Sequence, residues 1–191
     1  MHQTWSLAAF LAWEEQQQAR FEFDGIQPVA MTGGTVAHAA IQANLLAALV
    51  SLLRGKPCRA FGSDLKIQAE GRIRYPDAFV VCTPVSPQAR LISDPVIIFE
   101  ILSPSTAEVD LIDKNAEYRA ISSVRRYVVL EQHKPAAMSF FRRGEDWLSE
   151  IAGGADAMLA LPEIELTIPL AELYAGLDLA PPPEADGAPA V

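Results

Sequence analysis

An acidic residue in the middle of a short apolar run constrains this chain most strongly. The run covers residues 95–102, PVIIFEIL, and is bounded by Pro95 and by Ser103-Pro104. Its length and its β-branched residues predict a strand that is buried on both faces. Burying the carboxylate of Glu100 there costs on the order of several kcal/mol unless a cation, a metal ion or hydrogen-bond donors compensate the charge.

The side chains of this run alternate between the two faces of the predicted strand. One face carries Ile98, Glu100 and Leu102, and the other carries Ile97, Phe99 and Ile101. A group that compensates Glu100 must therefore approach from the face that Leu102 shares. The identity of that group decides what chemistry the chain can perform.

A second acid precedes a neighbouring apolar run. Residues 74–82, RYPDAFVVC, predict a strand that begins at Asp77, because Pro76 favours extended geometry in the residue before it. Two carboxylates on neighbouring buried strands would form a site of hard oxygen ligands, which suits Mg²⁺ or Mn²⁺. In the structural alternative Asp77 merely ends a turn and Glu100 pairs with an arginine. The residues alone leave both interpretations open.

A helix is expected directly after the Glu100 strand. Residues 103–106, SPST, have the turn and capping chemistry of a helix start, and acidic residues follow in the first turn. Along this helix Asp110, Lys114 and Tyr118 recur at intervals of four residues and so share one face. Lys114 is either a solvated surface residue or a group that reaches back toward Glu100.

Taken together, these segments resemble the Uma-type restriction endonucleases of the PD-(D/E)XK nuclease superfamily. The resemblance rests on YPD at 75–77, FEILSPST at 99–106, the Asp110, Lys114 and Tyr118 set, and RYVVL at 126–130. It continues upstream in FEFDG at 21–25 and in His38. The fold implied is α+β with a restriction-endonuclease-like core, in which a mixed β-sheet is flanked by helices.

The resemblance also implies a metal-dependent phosphodiesterase site. Asp77 and Glu100 would be ligands of Mg²⁺ or Mn²⁺, with the backbone carbonyl of Ile101 as a third oxygen. The superfamily pattern expects a lysine two residues after the acid, where this chain has Leu102. Relatives with this leucine carry a lysine on the following helix, which here is Lys114. Its ammonium group would perform the same task from a different position in the chain.

Glu22 and His38 complete the set of candidate catalytic residues. Both are expected to line the entrance to the site, where His38 would contact the substrate phosphate or the water held by the metal ion. The alternative for His38 is a structural histidine without a catalytic role. Asp64, at the entrance of a predicted strand, is an additional candidate ligand.

The expected secondary structure begins with a helix over residues 6–19 and a hairpin that turns at Asp24-Gly25. Thr35 is expected to cap a long helix that runs to about Arg54. Several short strands follow, and an edge strand is expected over residues 163–168 before a short helix over residues 170–174. Residues 1–178 are expected to form a single restriction-endonuclease-like domain, and the Pro/Ala-rich residues 179–191 a disordered tail.

The composition adds expectations about location. Cys58 and Cys82 are expected to be free buried thiols in a reducing compartment. The sequence has no run that resembles a signal peptide or is long enough to span a membrane, so a cytoplasmic protein is expected.

The charge bears on the partner. The net charge of −9 is unusual for a protein that binds nucleic acid. The leading interpretation is a metal-dependent endonuclease whose partner is nucleic acid, with DNA in first place. One alternative is a catalytically silent nuclease fold that acts as an interaction protein, which Leu102 would fit. Another is a hydrolase of smaller phosphodiesters, which the acidic surface would fit. Resemblance to superfamily nucleases also suggests a homodimer.

Overall fold

The structure is a computed structural model, and it describes residues 5–31, 33–103 and 109–179, with the exception of the Asp110 side chain. The described helices are α1 (Leu7–Glu14), α2 (Val36–Leu52), α3 (Asn115–Ala120) and α4 (Leu170–Leu173). A π-helical turn, Val109–Lys114, leads into α3, and a 3₁₀ turn covers Pro162–Ile164. The described strands are β1 (Phe21–Phe23), β2 (Pro28–Ala30), β3 (Arg59–Gly62), β4 (Lys66–Ala69), β5 (Arg72–Arg74), β6 (Ala78–Val81), β7 (Leu91–Ile92), β8 (Ile97–Ile101), β9 (Arg126–Leu130), β10 (Ala136–Arg143), β11 (Asp146–Gly153), β12 (Met158–Leu161) and β13 (Leu166–Pro169).

A six-stranded sheet in the order β11-β10-β9-β8-β6-β3 forms the centre of the fold. Strands β8 and β9 run parallel, whereas the other neighbours in this sheet are antiparallel. The sheet is therefore mixed, and β8 lies inside it between β6 and β9. Helix α2 covers one face and α3 covers the other, which confirms the expected α+β fold.

The predicted alternation along β8 is confirmed by its packing. One face packs against α2 in a core that includes Ile41, Leu45, Leu49, Ile97, Phe99 and Ile101. On the other face Ile98 and Leu102 belong to a second core with Tyr118 from α3. Each fully buried aliphatic side chain in these cores contributes about 1.5–3 kcal/mol. Glu100 is thus held on the α3 face by apolar packing on both sides of the strand.

A second, five-stranded sheet has the order β2-β1-β5-β4-β7 and carries α1. Phe10 of α1 stacks on Phe23 of β1 with ring centroids 5.0 Å apart. The predicted hairpin between β1 and β2 is present, and Asp24 holds its turn by accepting the backbone N–H groups of Ile26 and Gln27 at 2.7 Å each. This sheet delivers Glu22 from β1 and Arg74 from β5 to the same region of the molecule.

Several expected boundaries differ from the structure. Helix α1 ends at Glu14, earlier than expected. The expected edge strand at residues 163–168 is a 3₁₀ turn followed by β13, which pairs with the unpredicted β12 in a separate two-stranded sheet. Glu165, at a φ of 56°, breaks the extended chain at that point. The expected helix start at residues 103–106 falls mainly on residues 104–108, and the expected tail mainly on residues 180–191, both outside the described part of the chain.

The two cysteines form a disulfide bond, which corrects the expectation of free thiols. Cys58 and Cys82 follow on from the Arg59–Val81 pair of the antiparallel β3–β6 ladder. Directly opposite residues in such a ladder lie close together, so the register brings the two sulfur atoms into bonding contact. Because the register of two strands cannot be read from cysteine spacing, the sequence did not reveal the bond. The cysteines therefore give no support to a reducing compartment.

We expect the Cys58→Ala/Cys82→Ala variant to lose about 3 kcal/mol of the free energy of unfolding, because the unfolded chain regains the entropy that a cross-link over a separation of 24 residues removes. Urea denaturation of both proteins, with and without a reductant, measures this loss. The reductant should destabilise only the parent protein. Equal stability of the two oxidised proteins would contradict the assigned contribution of the bond.

No helix within residues 5–31, 33–103 and 109–179 is both long enough and apolar enough to cross a lipid bilayer.

Candidate active site

Glu100 is compensated by a lysine and a tyrosine from the crossover segment between β8 and β9. Its side chain is only 5% exposed, and its Oε1 accepts a hydrogen bond from Lys114 Nζ at 3.0 Å and another from the Tyr118 hydroxyl at 2.7 Å. Among the described contacts, the cation that pairs with Glu100 is therefore a lysine and not the arginine of the structural alternative. Lys114 reaches back toward Glu100 rather than into solvent.

Tyr118 is held as a hydrogen-bond donor. Burial, and then the neighbouring charge of Glu100, raise the pKa of the Tyr118 hydroxyl well above its usual value. The hydroxyl therefore keeps its proton at neutral pH and donates it to Glu100. Two donors on one oxygen offset the cost of burying the Glu100 charge.

The helical spacing brings Lys114 and Tyr118 to this point. Lys114 is the last residue of the π-helical turn, and Tyr118 lies four residues later in α3, so the two side chains share one face of the segment. The side chain of Asp110, the third member of the predicted face, lies outside what the structure describes. π-helical turns occur frequently at functional sites.

Asp77 lies beside the backbone of β8. It occupies a bend directly before β6, rather than the first position of the strand as expected. The register pairs Ala78 with Phe99, so its continuation places Asp77 opposite Glu100. Asp77 Oδ2 accepts the backbone N–H of Ile101 at 2.8 Å. The N–H and C=O of one strand residue point toward the same neighbouring strand, so the Ile101 carbonyl is also directed to the side of Asp77.

His38 contacts Asp77 from the first turn of α2. Its Nε2 lies 3.2 Å from Asp77 Oδ2. Thr35 caps the helix as predicted, and its hydroxyl oxygen accepts the His38 backbone N–H at 3.2 Å. A Cβ atom added at Gly34 would lie 3.0 Å from atoms of the imidazole ring, so glycine leaves room for the ring beside the helix start. Local structure thus orients His38 toward Asp77.

Glu22 contacts a different part of the site from His38. Its Oε1 lies 3.8 Å from Lys114 Nζ and accepts the Tyr75 backbone N–H at 3.1 Å, while its Oε2 accepts Arg74 Nη1 at 2.9 Å. The structure therefore divides the candidates into two groups. Asp77 and His38 form one, and Glu100, Lys114 and Glu22 form the other. Ile101 joins them because it follows Glu100 and donates its N–H to Asp77.

Four further residues hold these side chains in place and were not singled out from the sequence. Gln42 Nε2 donates to the backbone carbonyl of Asp77 at 2.9 Å. Gln132 Nε2 donates to the Leu102 carbonyl at 3.1 Å, and its Oε1 accepts the Thr35 hydroxyl at 2.5 Å. Gln42 follows His38 by one helical turn, a spacing that could have identified it. The three remaining residues of this supporting group are Gln132, Arg74 and Glu117.

Arg74 and Glu117 form a buried fork behind Glu22. Arg74 Nε and Nη2 donate to the two carboxylate oxygens of Glu117 at 2.8 and 2.7 Å. Burial alone would lower the pKa of Arg74, but the hydrogen bond that it donates to Glu117 and the charges of Glu22 and Glu117 raise that pKa above its usual value. Arg74 is therefore a permanent cation. Its position directly before the YPD motif could have identified it from the sequence.

The oxygen donors at this site fit a hard divalent cation. The carboxylates of Asp77 and Glu100 and the carbonyl of Ile101 are the ligand type that Mg²⁺ and Mn²⁺ prefer, and Mg²⁺ commonly uses one or two carboxylates with water and substrate oxygens. Among the described residues, no group of three or more His, Cys, Asp or Glu side chains is arranged to hold one metal ion. Asp64 is exposed and pairs with Arg20, so it offers nothing to this site.

Comparison with known proteins shows what this chain is similar to. The profile of the Uma2 family, described as "Putative restriction endonuclease", matches residues 7–171. A protein of Synechocystis sp., named "Uncharacterized protein slr1290", is 30% identical over 172 residues, which cover 88% of this chain and 90% of that protein. The crystal structure of a "putative nuclease belonging to DUF820" from Anabaena variabilis has a TM-score of 0.73 at 18% identity, and the match covers 89% of this chain and 97% of that chain. The structural match shows a shared fold.

Proposed function

This chain belongs to the Uma2 family, and we propose from this premise that it is an endonuclease that hydrolyses phosphodiester bonds of nucleic acid. DNA is the first candidate substrate, and Mg²⁺ or Mn²⁺ is the proposed cofactor. The observation that carries the proposal is the Lys114 ammonium group, which lies 3.0 Å from the buried carboxylate of Glu100 although the motif lysine is replaced by Leu102. Lys114 of the following segment would thus take the place of the lysine that the superfamily pattern expects at position 102.

Each oxygen donor has a defined part in this proposal. The Asp77 and Glu100 carboxylates, with the Ile101 carbonyl, would hold the divalent ion. When bound, the ion would supply positive charge beside the phosphoryl oxygens and make a water molecule more acidic. The carboxylates are fixed by the protein before the substrate arrives, because Asp77 is bonded to the Ile101 N–H and Glu100 to Tyr118.

The basic groups would act on the reacting phosphate. Lys114 would stabilise the negative charge that develops on the phosphoryl oxygens, at a position where burial strengthens its effect. His38, oriented by Asp77, would contact the substrate phosphate or orient the attacking water. Lys114 Nζ lies 3.0 Å from Glu100 Oε1 and His38 Nε2 lies 3.2 Å from Asp77 Oδ2, so each group is next to one of the two proposed metal ligands.

The test is cleavage of supercoiled plasmid by the purified protein in the presence of Mg²⁺, Mn²⁺ or EDTA. Single-stranded DNA, duplex DNA, RNA and bis-p-nitrophenyl phosphate are compared under the same conditions. We expect nicked and linear plasmid only when the metal ion is present. Cleavage of the small diester without cleavage of any polymer would favour a hydrolase of small phosphodiesters. The net charge of −9 is the observation that favours this second candidate function. Mn²⁺ binding without any cleavage would favour the silent fold.

Two expectations about the assembled protein remain predictions. A homodimer is measured by light scattering with and without a short duplex. A cytoplasmic location is measured by cell fractionation. Neither outcome changes the chemistry proposed for the site.

We expect His38→Ala to lower turnover about 10²-fold while the melting temperature changes little, because the imidazole would act on the substrate side of Asp77. The exposed His133→Ala is the matched control and should retain full activity. Turnover by plasmid cleavage and the thermal unfolding midpoint are measured for both variants. A His38→Ala protein that melts several degrees lower yet cuts at the parent rate would instead assign His38 a structural role.

A further inference from the structure

Lys114 lies near the carboxylates of Glu100 and Glu22, at different distances from the two. It donates to Glu100 at 3.0 Å, and the nearest Glu22 oxygen is 3.8 Å away. Glu100 is a proposed metal ligand, so the same carboxylate serves an ammonium group and would also serve a divalent ion. An ion that binds Glu100 places a second positive charge beside Lys114, and like charges at such distances repel strongly in a buried site.

Glu22 is a prepared acceptor for this ammonium group. Its carboxylate is fixed by the Tyr75 N–H at 3.1 Å and by Arg74 at 2.9 Å, and its side chain is 13% exposed. A short rotation of the lysine side chain would carry Nζ from hydrogen-bond distance of Glu100 to hydrogen-bond distance of Glu22. The four methylene groups of lysine permit such a change without movement of the backbone.

Arg74 ties this acceptor to the segment that carries the lysine. Its fork holds Glu117, which lies three residues after Lys114 in α3. One buried guanidinium group therefore sets the position of Glu22 on β1 relative to Lys114 on the crossover segment. Since the arginine neutralises part of the negative charge of both glutamates, it also limits how strongly Glu22 attracts Lys114.

We propose that Glu22 and Arg74 are positioning residues that govern a transfer of the Lys114 ammonium group from Glu100 to Glu22 when a divalent cation occupies the site. In the metal-free protein Lys114 is the counter-ion of Glu100. With the ion in place, Lys114 pairs with Glu22 and stays within reach of the substrate phosphate. This inference rests on the proposed metal site and gives Glu22 and Arg74 a role in which neither touches the ion or the substrate.

The first measurement is Mn²⁺ affinity by titration calorimetry. Glu22→Gln removes the acceptor, so Lys114 remains on Glu100 and competes with the ion, and we expect about five- to tenfold weaker binding. Arg74→Met strengthens the pull of Glu22 on Lys114 and frees Glu100, so we expect binding to become tighter by a similar factor. Turnover at saturating Mn²⁺ should fall about tenfold in both variants, because Glu22→Gln leaves Lys114 on Glu100 and Arg74→Met removes the group that fixes the position of Glu22.

Two controls separate this transfer from general effects. Arg126→Met removes another buried arginine, which pairs with Glu150 at 2.6 Å and with Glu163 at 3.0 Å. Arg126 lies away from the site along the sheet, so this variant should leave Mn²⁺ affinity unchanged. The same substitutions are then made in a Lys114→Met background. There the opposite shifts in affinity should largely disappear, whereas a purely long-range electrostatic effect would leave them intact.

The second measurement follows the lysine directly in the unmodified protein. In a ¹⁵N-labelled sample titrated with Mg²⁺, the ammonium resonance of Lys114 should shift as the site fills. Lys66 is the internal reference, since its buried ammonium group pairs with Glu14 at 2.5 Å and should show no change. An unchanged Lys114 resonance in a protein that binds Mg²⁺ would overturn the transfer while leaving the proposed function standing. Absence of any Asp77-dependent metal binding would overturn both.

Discussion

Asp77→Asn is expected to abolish Mn²⁺ binding and to lower the rate of plasmid cleavage by about 10³-fold or more, since the loss of a charged ligand removes several kcal/mol of transition-state stabilisation. Asparagine has the same shape and still offers an oxygen to the Ile101 N–H, so the fold should persist. Titration calorimetry and the plasmid assay measure the two effects.

Asp64→Asn is the matched control, because Asp64 is exposed and pairs with Arg20 away from the site. That variant should bind Mn²⁺ and cut plasmid as the parent does. Mn²⁺ affinity that survives in Asp77→Asn would show that the ion is held elsewhere, and the shared site with Glu100 would have to be abandoned.

Lys114→Met should lower the cleavage rate on the order of 10²-fold or more while the protein still binds Mn²⁺, because it removes transition-state stabilisation and also removes the competitor for Glu100. Methionine replaces the stem of the lysine without its charge. Lys66→Met is the matched control, since Lys66 is equally buried in an ion pair with Glu14, and it should cost stability but not the rate at saturating Mn²⁺.

The sharper form of this experiment moves the lysine to the position that the superfamily pattern expects. Leu102 follows Glu100 on the same strand face, so Leu102→Lys in the Lys114→Met protein should recover part of the rate. Leu102→Lys alone should destabilise the protein, because two ammonium groups would then crowd one buried volume. Full loss of activity in the double variant, with the fold intact, would show that only the crossover lysine can serve the site.

The parts of the site that depend on local pattern could be predicted from the sequence. The strand around Glu100 follows from its apolar run. The face that Lys114 and Tyr118 share follows from their helical spacing. The cap at Thr35 follows from the residue type that precedes the helix. In each case the physical cause lies within a few residues of the feature, so a single sequence is sufficient.

The parts that depend on long-range pairing could not be predicted. Glu22 and His38 were both assigned to the site, but nothing in their spacing shows that β1 carries one to Arg74 while α2 carries the other to Asp77. The fork between Arg74 and Glu117 joins β5 to α3, and the disulfide joins β3 to β6. Such contacts are set by sheet order and strand register, which local propensity does not encode.

The parallel pairing of β8 and β9 has a consequence for how the candidate site is assembled. Two parallel neighbours require a crossover connection, and here that connection carries Lys114 and Tyr118. The chain cannot complete this pair without laying the crossover over the face that Glu100 occupies. The pairing that closes the sheet and the contact between Lys114 and Glu100 therefore depend on the same connection, and we expect a chain that stops before β9 to lack that contact.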